Sequence, residues 1–128
     1  MKRKYFLTIA SFIAISVGIF ALFFPVTLQE SKGTLPNNAT YVWTSEVGVL
    51  LIALGVMAFI VRKEENSKML SAFLFSNFII QIGLFTIELI AFMDKIITKP
   101  SGVIPNLSIH ILLSIGFLYF FLAKEKSS

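Results

Sequence analysis

The sequence has no cysteine, a single histidine and a single tryptophan, and only 14% of its 128 residues are charged. Without thiols there can be no disulfide, no thiolate catalysis, no thiol redox couple and no cysteine-ligated metal. The redox compartment stays open on this ground. One histidine also argues against haem held between helices, which usually takes two axial side chains. Close ligand spacing such as His-Glu-x-x-His is missing, so no metal and no cofactor is implied. No basic stripe with a nucleic-acid reader motif is present, and no nucleic-acid partner is expected. Internal repeats and low-complexity segments are absent as well.

What fills the chain instead is apolar. Hydrophobic residues make up 56%, fourteen of them Phe, and the mean hydropathy is +0.85. A soluble domain this short could not hide that much apolar surface. Four apolar stretches stand out, at about 5–28, 42–61, 69–93 and 104–122. Each is close to the ~20 residues that a bilayer-spanning helix needs. A β-barrel would show alternating segments of about ten residues, and none is seen. Lipid then leaves helices as the way to pair the backbone. The expectation is an all-α, antiparallel four-helix transmembrane bundle forming a single domain over 1–128. The first stretch follows Met-Lys-Arg-Lys, is long, and lacks Ala-x-Ala near its end, so it reads as a retained anchor rather than a signal peptide.

Basic residues set the expected orientation. With both termini inside, Lys2, Arg3, Lys4, Arg62, Lys63, Lys68, Lys124 and Lys126 face the cytoplasm, while only Lys32, Lys95 and Lys99 face out. This asymmetry predicts a multi-pass inner-membrane protein with cytoplasmic N and C termini. Tyr41 and Trp43 suit the outer interface, Tyr5 and Tyr119 the inner one. Residues 32–40, with Gly33, Pro36 and two Asn, read as the main outer loop, and 62–68 as a tight charged inner turn. Asn38-Ala39-Thr40 matches a glycosylation sequon. Pro105 is expected in the first turn of the last helix, where its missing N–H costs nothing.

Ala10, Ala14, Gly18 and Ala21 fall on one face of the first helix, and Gly48 and Gly55 make a sparser stripe on the second. Small residues let membrane helices approach closely. Packing inside one chain is one reading of the first stripe, and a homodimer seam is the other.

Polar residues inside apolar segments are the candidate site. Asn77, Gln81 and Glu88 share a face of the third helix, and Asn106, His110 and Ser114 share one of the fourth. Glu46 lies on the second helix beside Thr44 and Ser45. At ~1.5 Å per residue, Glu46, Glu88 and His110 are each placed within ~10 Å of the outer helix ends, with Gln81 and Asn77 deeper. This predicts a ligand-binding polar pocket, open outward, built from Glu46, Gln81, Glu88, His110 and Asn77. An ionisable residue at membrane depth is a functional-site hypothesis by default. Structural roles compete with this one. Glu46 in a first turn would complement the helix dipole, and Gln81 and Asn77 could be interhelical glue.

The layout also resembles a known group. The chain has a basic start, a first helix ending in Phe24-Pro25, the segment Tyr41-Val-Trp-Thr-Ser-Glu-Val-Gly48 and then Ala53-Leu-Gly55. A charged inner turn and two further helices complete it. This is similar to the DoxX-like, four-helix bacterial integral membrane proteins. The resemblance implies a four-helix bundle, and some relatives are associated with quinone-linked sulfur or redox assemblies. It implies no settled activity and assigns no residue a role. Small multidrug exporters are unlike this chain, because they carry a Glu in the first helix, where only Thr8, Ser11 and Ser16 are polar here. The leading expectation is a non-enzymatic membrane component that binds a lipid-like ligand or a partner subunit. A dimeric or proton-coupled transporter and a membrane enzyme with a His110/Glu88 acid–base pair are the alternatives.

Overall fold

An apolar chain in lipid must close its backbone hydrogen bonds within each segment. The computed structural model describes residues 1–125, and all regular structure among them is helical. The helices are α1 (Arg3–Phe23), α2 (Pro25–Ser31), α3 (Asn38–Val61), α4 (Lys68–Met93) and α5 (Pro100–Glu125). Four of them, all but α2, are long and apolar enough to cross a membrane. Lys126, one of the basic residues counted as cytoplasmic, lies outside the described residues, as does the side chain of Lys124.

Helix ends follow local chemistry, and they correct the expected boundaries. The first apolar stretch is not one helix through residue 28. It stops at Phe23 because Pro25 has no N–H and its ring clashes with a continuing turn. The seven-residue α2 restarts with Pro25 at its first position. It ends at Ser31, and just beyond it Gly33, with φ of 75°, turns the chain so that the Thr34 N–H reaches back to the Gln29 carbonyl, beside the Gly33 N–H bond to Glu30. The connection between α2 and α3 is shorter than the expected loop at 32–40, since α3 begins at Asn38. Asn37 accepts from the Thr40 N–H at 3.0 Å, and the Thr40 hydroxyl accepts from the Asn37 N–H at 2.8 Å. The sequon Asn38-Ala39-Thr40 is thus the first turn of a helix. Ser67 caps α4 through the Leu70 N–H. Lys95 closes α4 with φ of 60°, which allows Lys95 and Ile96 to donate to Phe92 and Ala91. Pro100, not Pro105, occupies the start of α5, and Pro105 sits inside the helix.

The chain forms two compact units, Met1–Lys63 and Glu64–Ser128. In the first, α1 packs on α3 through glycine. A Cβ built on Gly48 would lie 2.6 Å from the Leu22 amide nitrogen and 2.7 Å from the Gly18 carbonyl oxygen. One on Gly55 would lie 2.9 Å from the Ser11 carbonyl oxygen. Backbone therefore meets backbone, which only glycine permits. Ala10, Ser11, Gly18 and Ala21 are buried, while Ala14 is half-buried. In the second unit, α4 packs on α5 around Leu70, Leu74, Val103 and Phe117, with Phe73 edge-on to Phe117 at 6.4 Å.

Glycine positions differ sharply in what they tolerate. A Cβ at Gly83 meets nothing within 4 Å. Gly48→Ala is expected to destabilise the protein by about 1–3 kcal/mol through overpacking. Gly83→Ala is expected to be neutral or stabilising by up to about 1 kcal/mol through helix propensity. Reversible unfolding in mixed micelles measures both, and a Gly48→Ala variant as stable as wild type would refute the close approach.

Candidate functional site

The polar face of α4 meets the polar face of α5. Asn77, Gln81 and Glu88 follow steps of four and seven, continuing the seam that Leu70 and Leu74 begin. Asn106, His110 and Ser114 answer on α5 at steps of four. Lipid would penalise any of these groups if it turned outward.

Two cross-helix contacts define the seam. Asn106 Nδ2 donates to both carboxylate oxygens of Glu88, at 2.8 and 3.0 Å. His110 Nδ1 lies 2.7 Å from Gln81 Oε1. With the amide oxygen facing the ring, Nδ1 is the nitrogen that carries a hydrogen and donates. Residue numbers rise along α5 as they fall along α4, from Glu88–Asn106 through Gln81–His110 to Phe73–Phe117. Asn77 (5% exposed) and Ser114 (4%) are the most buried polar side chains of the seam. Asn77 Nδ2 donates to the Phe73 carbonyl at 2.9 Å, so its donor serves its own helix.

Glu88 and His110 are therefore not level. Glu88 is level with Asn106, and His110 is four residues, or ~6 Å, further along α5. Both side chains are half-buried. Asn106 had been noted on the polar face of the last segment but not assigned to the pocket. The signal was available, because it starts the same four-residue spacing as His110.

Glu46 behaves differently. It is exposed, and it belongs to the Met1–Lys63 unit, whereas Glu88 and His110 belong to the other. Because α3 starts at Asn38, Glu46 is eight residues into the helix and outside the first turn. The dipole explanation for it is lost, since that effect fades beyond the first turn. Beside Glu46, the end of the unit is tied by side chains. Gln29 Nε2 donates to the Thr44 hydroxyl at 2.7 Å, and the Thr34 hydroxyl donates to Gln29 Oε1 at 2.9 Å. Gln29 was not singled out from the sequence, because one amide beyond a proline break shows no periodic partner.

Near the Glu88–Asn106 contact lies an open apolar groove of about 400 Å³. It is lined by Phe85, Ile104, Leu107, Ser108, Ile111 and Leu112. Phe85 is one turn from Glu88, and Ile104 and Leu107 bracket Asn106 in the sequence. Among the described residues no three His, Asp or Glu side chains come together as a metal would require. Such a site can orient a carboxylate and accommodate an apolar tail. No family model, curated protein or solved structure matches the chain.

Removing one partner takes a cross-helix contact from the other. Asn106→Leu is expected to destabilise the protein by about 1–3 kcal/mol, because a half-buried carboxylate loses its amide donor. The Glu88→Leu/Asn106→Leu double variant is expected to recover most of that loss. A double-mutant cycle in mixed micelles reads the coupling. Simple additivity of the two single changes would show that the contact carries no energy.

Proposed function

We propose that the chain is an inner-membrane protein whose four spans alternate in direction, with both termini cytoplasmic, and that it binds a lipid-like ligand without catalysis. The binding site is the outer end of α4 and α5. Glu88, oriented by Asn106, receives the polar head, with Gln81 and His110 one to two turns further in. The groove beside Phe85 and Leu107 takes the apolar tail.

One observation carries this reading. The Glu88 carboxylate is only half-buried, yet both its oxygens are held by a single amide. A polar group oriented before a ligand arrives loses little freedom on binding. The groove runs from Ile104 to Leu112, about 6–18 Å from the start of α5, a depth at which an acyl chain would lie. The distribution of Lys and Arg supports the orientation. Kinship with the DoxX-like proteins belongs to the same proposal and contributes no residue role.

The absence of cysteine makes topology simple to test. A membrane-impermeant maleimide is expected to label Leu35→Cys, at a position 96% exposed, in intact cells. Asn66→Cys, at an exposed position in the α3–α4 turn, is expected to be labelled only after lysis. The reverse pattern would invert the orientation.

Binding is tested by native mass spectrometry of protein extracted from its own membranes. Wild type is expected to retain a lipid-like species. Glu88→Gln is expected to retain about tenfold less, the equivalent of one charge-assisted hydrogen bond. His110→Asn is expected to weaken retention less. Wild-type retention by Glu88→Gln and His110→Asn alike would sink the proposal, and co-extraction of a protein subunit in place of lipid would redirect it to a partner.

A further inference from the structure

The glycine contacts fix how α1 and α3 line up. Gly55 lies against Ser11 and Ile15, and Gly48 against Gly18 and Leu22. Seven residues before Ser11 stands Lys4, and seven residues after Gly55 stands Arg62. Two helical turns in each case, ~10.5 Å, bring the start of α1 and the end of α3 to one level. Lys2, Arg3, Lys4, Arg62 and Lys63 thus gather at one end of the Met1–Lys63 unit. Five cations there outnumber the two carboxylates, Glu64 and Glu65, that follow in the chain.

Arg62 is also placed in an unusual way. Its guanidinium carbon lies 3.3 Å from the centre of the Phe59 ring, and its Nη1 donates to the Phe59 carbonyl. Phe59 is one turn inside α3, so the cation folds back towards the apolar span instead of reaching away from it. Lys4 holds its ammonium 5.6 Å from the centre of the exposed Tyr5 ring. A guanidinium has five N–H donors in a planar fork and is weakly hydrated. The carbonyl takes one donor of Arg62. The fork and the ring together sit where an apolar span gives way to headgroups.

We propose that the paired ends of α1 and α3 form a binding site for the phosphate of an anionic membrane lipid. Arg62 grips the phosphate oxygens in a fork, and Lys4 and Lys63 supply further positive charge. The lipid's chains run along the exposed apolar faces of the same two helices, among them Phe59 and Ile60. The site is independent of Glu88 and of the outer groove.

Full-length protein is reconstituted in nanodiscs of phosphatidylcholine with or without phosphatidylglycerol, and the retained lipid is counted by native mass spectrometry. Both leaflets have the same composition, so a variant that inserts in the reverse sense is still read correctly. Wild type is expected to retain phosphatidylglycerol over phosphatidylcholine. Each basic residue removed is expected to cost about fivefold, so Arg62→Gln falls by about that factor and Lys4→Gln/Arg62→Gln/Lys63→Gln much further. Arg62→Lys keeps the charge and loses the fork, and is expected to fall between wild type and Arg62→Gln. Inorganic phosphate at matched concentration is expected to leave the lipid in place. Equal retention of the two lipids, wild-type retention by both Arg62→Lys and the triple variant, or full displacement by inorganic phosphate would overturn the assignment.

Discussion

A polar group buried in an apolar span must find its partner inside the protein, because lipid tails offer none. That constraint dictates helices for the backbone and seams for the side chains. It explains why Asn77, Gln81 and Glu88 share one face of α4, and why Asn106, His110 and Ser114 meet it from α5. The contacts Glu88–Asn106 and Gln81–His110 are its direct expression. Hydrogen bonds between membrane helices average only about 0.6 kcal/mol. Their larger effect is on register. A one-residue slide would break both cross-helix contacts in an apolar setting.

The two units answer the same constraint by different means. In Met1–Lys63 the helices approach through glycine, and backbone contact supplies the attraction that hydrophobicity cannot supply in lipid. In Glu64–Ser128 the contact runs from a phenylalanine and leucine end into a polar end, so the second unit combines packing with chemistry. This division is the reason the proposed ligand site is assigned to the second unit. A carboxylate that is oriented but only half-buried can still meet an external group, whereas the buried Asn77 commits a donor to its own helix.

Much of this was legible from spacing. The four spans, the shared faces of α4 and α5 and the small-residue stripes are all periodic features, and periodicity survives small boundary errors. Features without a period were not legible. The break after Phe23 depends on how Pro25 is read, as a kink within one helix or as the start of another. The start of α3 at Asn38 depends on a reciprocal cap between Asn37 and Thr40, which a nearby glycine and proline obscured. That shift of one turn removed Glu46 from the helix start and with it the dipole account of its charge. Pro105 was placed in a first turn because Pro100 was not recognised as the true start.

The sequence by itself determined that the chain is membrane-spanning and helical, and which residues are too polar for lipid, because those properties follow from composition and period. Tertiary structure alone decided which polar groups meet. Helix counting measures distance from uncertain ends and does not pair residues across helices. The register between α4 and α5, set by side-chain interdigitation, instead gave Glu88 to Asn106 and His110 to Gln81. It likewise brought Lys4 level with Arg62, through glycine contacts two turns away from either residue.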